Sequence, residues 1–400
     1  MSVDYFMEKK IWFIWLIAIL ARIVLCFFQQ NLFAEELGMY LQLLNQTRFP
    51  ITFNIAIIHL LLTEDPTLVL IHLAPGYGYI DVPFSNPPIS FVFYGIVSPF
   101  FALGGIFAVR IFLAIISSLG IITFNLFIKE LTRDEELITV STILYGFNIV
   151  GIYFASHVSV ANIYFTLIPL ILFLFLKQIN STHNKNYILD PTEEPKGTLN
   201  IYIILAGLLV VTFNLGLIIP ITYAFGLILL LLYSDSRDKL INEIFWLVIF
   251  AAGPAIALFI YGIAINHPIA GLVNYSSIII SKSFDVSSFI YYILSLGATV
   301  ALYLPFAFQG ILDYDKNKLN KIWFFWLIIL QILCFGTPTL DVNLKCIIYS
   351  IPLLLFFTIQ GYQEQNGEFW FIKKENYPYI YIIASFVIAL LIILATKVIA

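Results

Sequence analysis

Of the 400 residues 61% are hydrophobic and only 11% charged, with a net charge of −4. The apolar residues come in blocks near the roughly 20 that cross a ~30 Å hydrocarbon core, which predicts an all-α polytopic membrane protein. A β-barrel, which would alternate over ten-residue segments, is excluded, and nucleic-acid binding finds no support because charge in such a chain acts through its distribution across the bilayer.

Lys9 and Lys10 precede the apolar run 11–28, which lacks a small-x-small cleavage site and reads as a retained first span. Arg22 falls in the second half of that run, where a charge costs ~2.5 kcal/mol or more at a helix centre, so it is expected to face a cavity or a partner. The long loop over 29–87 carries Glu35, Glu36, Glu64, Asp65 and Asp81 against a single Arg48. Glu35 and Glu36 open an amphipathic pattern continued by Leu37, Tyr40, Leu41 and Leu44. Two readings fit them: chemistry at the membrane surface, or the ordinary preference of acids for a helix N-terminus. The apolar segments 49–62 and 87–105 are short for a span and read as juxtamembrane helices, with Pro99 kinking the second.

Further spans are predicted over 106–128, 138–156, 163–176, 201–216, 218–233, 244–265, 288–308, 322–335, 347–359 and 379–397, about eleven in all. No internal repeat or soluble domain interrupts them. Cys26, Cys334 and Cys346 lack metal-ligand spacing and read as small core residues.

The positive-inside rule tests the topology. With a cytoplasmic N-terminus and a non-spanning 87–105 segment, 14 Lys and Arg lie inside, among them Lys9, Lys10, Lys129, Arg133, Lys321, Lys373 and Lys374, and five lie outside. If the segment spans, the count becomes six inside and 13 outside. An external N-terminus with a spanning segment gives 13 inside and six outside, but puts Lys9 and Lys10 outside, against the weight that residues flanking the first span carry. The preferred topology gathers His59, His72, Asp81, Arg110, His157, His267, Lys282 and Asp285 on the outer face. A lone histidine there is more often structural than functional. Arg110, at the external end of its span, either meets an anion or snorkels to lipid phosphates. The other span interiors lack Asp, Glu, Lys and Arg, which argues against an ion-coupled transporter.

The first span ending in "LARIVLCFF", the acidic pair after it, the long loop, the Pro87-Pro88-Ile89 helix, the Arg110-initiated span and "YGFNIVGIYFASHVSVANIYFTLIPL" together resemble the N-terminal module of the GT-C membrane glycosyltransferases over roughly residues 11–235. The resemblance implies a catalytic module over 1–235 with its first external loop at 29–105, and a variable set of transmembrane helices over 236–400. It implies transfer of a hexose, mannose or glucose, from a polyprenyl- or dolichyl-phosphate-linked donor to a lipid-linked glycan, glycolipid or protein acceptor. Glu35 or Glu36 stands where the family usually has Asp and would be the base; Arg110, His157 and Lys282 would hold the donor phosphate. Asp81 would bind the acceptor sugar, hold a divalent cation (Mg or Mn), or cap the turn before Pro83. The family's second acidic position is here "SHVSVAN", with His157 and Asn162 and no carboxylate.

The chemistry suits this reading. A lipid phosphate is already a good leaving group, so one carboxylate base suffices, unlike glycoside hydrolysis, which needs a second acid. The expected setting is a prokaryotic plasma membrane or the endoplasmic reticulum, with the active site on the extracytoplasmic face. A flippase of lipid-linked glycans is the alternative, with a non-catalytic scaffold third.

Overall fold

The computed structural model describes residues 3–29, 87–159, 161–182, 286–300, 302–313, 315, 318–335, 344, 347–364, 368–369 and 372–399. Their principal elements are α1 (Val3–Phe28), α2 (Pro87–Leu131), α3 (Glu135–Gly146), α4 (Ile149–Ala155), α5 (Ala161–Thr182), α6 (Val286–Val300), α7 (Leu304–Leu312), α8 (Lys318–Cys334), α9 (Ile351–Glu364) and α10 (Tyr377–Ile399). The all-α expectation holds but for one small hairpin before α10, where β1 (Glu368–Phe369) pairs antiparallel with β2 (Ile372–Lys373).

Three stretches are long and apolar enough to cross a membrane: Lys9–Phe28, Pro99–Leu131 and Lys374–Leu394. The pair α3 and α4, bent by 45°, makes a fourth if it is one span. By length and composition these helices could cross a membrane. The described residues thus supply three to four spans where the sequence predicts about eleven; those over 201–216, 218–233 and 244–265 lie outside them. The predicted 288–308 span is instead two short helices, α6 and α7, and α8 and α9 are 17 and 14 residues long.

α1 shows why an apolar bundle forms. Trp12, Phe13, Leu16, Leu20 and Phe27 are exposed, whereas Ala18, Arg22, Leu25 and Cys26 are buried. Over 11–28 large apolar side chains face outward and the one charge, Arg22, faces inward, the inverse of a water-soluble helix. Arg22 therefore meets the protein interior, as its position in the span predicts.

α2 does not run straight. Gly104 and Gly105 leave helical geometry, Gly105 at φ 63° and ψ −154°, a conformation that a side chain would strain. Phe100 and Phe112 stack with centroids 3.8 Å apart, although a straight helix would separate them by about 18 Å along its axis. The chain thus turns sharply between 87–103 and 106–131. The turn lies at the glycine pair and not at Pro99, through which the helix continues, so the expected proline kink is corrected. The boundary of the predicted 106–128 span is where the structure places it.

The predicted 138–156 span is broken as well. Asn148 interrupts it: its Oδ1 accepts from Val150 N at 3.0 Å, capping α4, and its own N–H turns to Tyr145 O. The carbonyl of Leu144 thereby loses its helical donor, and the hydroxyl of Tyr381 on α10 supplies one at 3.1 Å. Pro169 in α5 raises the same problem, since it has no N–H for the carbonyl four residues back. That carbonyl, on Phe165, accepts from the hydroxyl of Tyr145, and the next, on Thr166, accepts from Thr123 Oγ1 at 2.8 Å. Backbone groups freed in an apolar interior must find partners within the protein, and here side chains of neighbouring helices provide them. Tyr145→Phe would leave the Phe165 carbonyl unpaired and is expected to lower stability by about 1–3 kcal/mol, read as a fall in the thermal midpoint in detergent.

The bundle has two distinct ends. α1 and α2 run antiparallel: Arg110 Nη1 donates to Gln29 O at the end of α1, Cys26 clusters with Ala114, and Arg22, further back along α1, stands beside Tyr145, whose ring stacks on Phe124 further along α2. Some 19 residues further along each helix, about 28 Å at 1.5 Å per residue, lie Lys9 and Lys10 on α1 and Lys129 on α2. Asp134 caps α3 at that far end, accepting from Glu136 N at 2.9 Å and Leu137 N at 3.2 Å, with Arg133 beside it. Tyr362 lies there too, with Lys374 Nζ 4.6 Å from its ring. Burial first, then the carboxylates of Glu136 and Glu375, push its hydroxyl from 10 to about 12. α8 reaches the same end, Trp323 meeting Phe127 at 6.0 Å and Asn320 exchanging hydrogen bonds with Gln360 at 3.0 and 2.8 Å. Lys9, Lys10, Lys129, Arg133, Lys321, Lys373 and Lys374, grouped on one side by charge counting, thus share one end of the bundle.

Candidate functional site

The opposite end holds the two predicted site residues that the structure describes, Arg110 and His157. Glu35, Glu36, Asp81 and Lys282 lie outside the described residues.

Arg110 sits five residues after the glycine turn of α2 and is buried, its Nη1 donating to the last carbonyl of the α1 segment, on Gln29. A cation at the C-terminal end of a helix meets the negative end of its dipole. The snorkelling alternative for Arg110 does not describe this geometry, because the guanidinium turns inward to the α1 terminus. Gln29 itself closes the last turn of α1 through its N–H to Leu25 O at 3.1 Å.

His157 follows α4. Its position relative to Arg110 is fixed through α1: Cys26 Sγ lies 3.5 Å from Ala155 O, two residues before His157, and Cys26, Ala114 and Ala155 pack in one cluster with Phe107. Nδ1 lies 2.7 Å from Tyr153 O and 3.0 Å from Ser156 Oγ, and the ring leans on Tyr153 at 4.5 Å. The carbonyl partner assigns the proton of the neutral ring to Nδ1, which makes Nε2 its acceptor, and a donor once the ring is protonated. The neutral form can accept from a hydroxyl, and the protonated form can donate to a phosphate oxygen.

Asn162 ties down the chain on either side of His157. Its Nδ2 donates to the carbonyls of Phe154 at 3.0 Å, His157 at 3.0 Å and Ser159 at 3.2 Å, tying the α4–α5 connection into a knot beneath the histidine. A carboxylate only accepts, so an acid in this place would face three carbonyl oxygens with no proton to offer. An amide fits where an acid would be repelled. Asn162 positions His157 through the backbone carbonyl of that residue.

Sequence reasoning also missed Gln29, whose carbonyl anchors Arg110, and Ser156 and Tyr153, which fix the His157 ring. Backbone acceptors of this kind leave no residue-type signal. Among the described residues no group of three or more His, Cys, Asp or Glu side chains could hold a metal ion; Asp81 and the acidic loop are outside that set.

The arrangement gathers a guanidinium and an imidazole, both buried, at the end of the bundle from which α1 leads toward the acidic loop. Gln29 is six and seven residues before Glu35 and Glu36, so even a fully extended chain keeps the acidic pair within about 25 Å of it. No family model matches the chain, and no curated protein matches it.

Proposed function

We propose that the protein is a membrane glycosyltransferase of the GT-C type, with about eleven transmembrane helices, a cytoplasmic N-terminus and its active site on the extracytoplasmic face. One observation carries the reading: Arg110 and His157 share the end of the bundle where α1 exits toward Glu35 and Glu36, opposite the lysine-rich end. Donors for an anionic leaving group and a carboxylate base then meet at one membrane surface.

In the proposed reaction the acceptor hydroxyl attacks the anomeric carbon of the polyprenyl- or dolichyl-phosphate hexose with inversion. The bond from that carbon to the phosphate oxygen breaks, and the hydroxyl proton passes to Glu35 or Glu36. Arg110, His157 and Lys282 hold the departing lipid phosphate, whose charge they stabilise as it develops. Asp81 orients the acceptor sugar or holds a divalent cation. Donor and released lipid phosphate both remain in the bilayer, which accounts for a site built at the ends of membrane helices.

Membranes containing the protein, incubated with polyprenyl-phosphate mannose or glucose and an extracted lipid-linked glycan, are expected to transfer one hexose. Transport of the glycan without transfer would replace this reading by the flippase one. Within the proposal, Arg110→Gln is expected to raise KM for the donor about 10- to 100-fold, the worth of one hydrogen bond to a charged group, in addition to any fall in the thermal midpoint from losing the bond to Gln29 O. An unchanged KM would remove Arg110 from the phosphate site.

A further inference from the structure

The charge inside the first span is not used by the reaction above. Arg22 is fully buried, and among the described residues its one hydrogen bond runs from Nη1 to Ala18 O of its own helix at 3.2 Å. Nε and Nη2 have no hydrogen-bond partner among the described residues. The guanidinium stands 5.8 Å from the ring of Phe165, with Tyr145 beside it, but the Tyr145 hydroxyl already donates to the Phe165 carbonyl and carries no charge to answer the arginine. A guanidinium stays protonated, so its unmet donors in an apolar bundle call for an anion.

A second unmet group lies on the facing helix: Ser117 Oγ on α2 is buried and without a hydrogen-bond partner among the described residues. Helical spacing puts both on the same seam. Arg22 is one turn from Cys26 on α1, Ser117 is one turn from Ala114 on α2, Cys26 and Ala114 pack together, and the helices run antiparallel. Arg22 and Ser117 therefore stand at one level, about 10 Å along α1 from the Gln29 carbonyl that holds Arg110. The side chains on the seam between that level and the Arg110 end, Cys26, Ala114 and Ala155, are small.

We infer that Arg22 and Ser117 form an anion site for a phosphate ester, behind the packed Cys26, Ala114 and Ala155 cluster as seen from the Arg110 end. The inference goes beyond sugar transfer and does not depend on it. Its chemistry is a planar fork of N–H donors with a hydroxyl at its side, the match for phosphate oxygens. Two sources fit, the phosphate of a polyprenyl carrier and the head group of an anionic phospholipid.

The test uses the full-length protein in uncharged maltoside micelles, with thermal midpoint and bound lipid by native mass spectrometry as readouts. Addition of polyprenyl monophosphate, phosphatidylglycerol or inorganic phosphate is expected to raise the midpoint for at least one phosphate ester. A rise with the polyprenyl lipid alone identifies the carrier, and an equal rise with phosphatidylglycerol identifies a head-group site. Arg22→Met removes an unanswered buried charge, so without ligand its midpoint is expected to equal or exceed wild type, while its ligand affinity falls at least tenfold. Ser117→Ala is expected to weaken binding a few-fold with the ligand-free midpoint unchanged. The inference is overturned if no phosphate ester raises the midpoint, if only inorganic phosphate does, or if the rise survives in Arg22→Met. It is equally overturned if Arg22→Met fails to fold or melts lower without ligand while Arg22→Lys does not, since the arginine would then be holding the bundle together. Because binding is read without turnover, its failure is distinct from a failure of sugar transfer.

Discussion

Changing both Glu35 and Glu36 to Gln is expected to lower sugar transfer by about 100- to 10,000-fold, the range spanned by loss of a positioned general base. Glutamine keeps the shape and much of the hydrogen bonding of glutamate but cannot accept the proton of the attacking hydroxyl. If one of the two is the base, its single variant alone will show nearly the whole loss, and the other will show little. Donor binding should persist in the double variant, because Arg110 and His157 stand on α2 and after α4. Full transfer in both single variants and the double variant removes the carboxylate-base proposal. Loss of donor binding together with transfer reassigns the pair to a structural role.

The largest expected loss of stability lies elsewhere, where α7 crosses α9. A Cβ added at Gly310 would stand 1.9 Å from Phe357 O, and one at Gly361 would stand 2.0 Å from Phe306 O. The obstruction is backbone on a facing helix, not the movable end of a side chain. Close approach through small residues is how membrane helices gain packing without a hydrophobic driving force. Gly310→Ala and Gly361→Ala are each expected to cost at or beyond the ~3 kcal/mol upper end seen for overpacked cores. Gly297→Ala in α6 is the control: nothing lies within 4 Å of the added carbon, so the gain of ~0.5–1 kcal/mol that Ala has over Gly in a helix should appear. Thermal unfolding of the three purified variants in one detergent checks both signs.

The sequence carried the coarse architecture because burial in a bilayer is written in residue type. The inward arginine of α1, the apolar blocks and the boundary after Gly105 follow from the cost of charge and the shortage of side chains at a sharp turn. The bends inside apolar blocks did not show. Pro99 looked like the break and is not, whereas Asn148, one amide in an uninterrupted apolar run, divides a predicted span because its side chain caps the next helix. Periodicity cannot register such a bend, since both halves stay apolar on every face that the protein covers. The site was legible only as residue types at one membrane surface. Its described half, Arg110 on Gln29 O and His157 on Tyr153 O, depends on backbone acceptors brought in from other turns.

The central claim is that the Arg110 and His157 end faces away from the cytoplasm together with the acidic loop, and that the Lys129, Arg133 and Lys374 end faces inward. Cysteine labelling tests it in a background lacking Cys26, Cys334 and Cys346, with Asp81→Cys, Leu103→Cys and Arg133→Cys introduced one at a time. Leu103 and Arg133 are both exposed. In sealed cells a membrane-impermeant maleimide is expected to modify positions 81 and 103 from outside, and position 133 only after permeabilisation. Labelling of 81 and 103 from opposite sides, or of 133 from outside, would contradict the topology and the proposed site together.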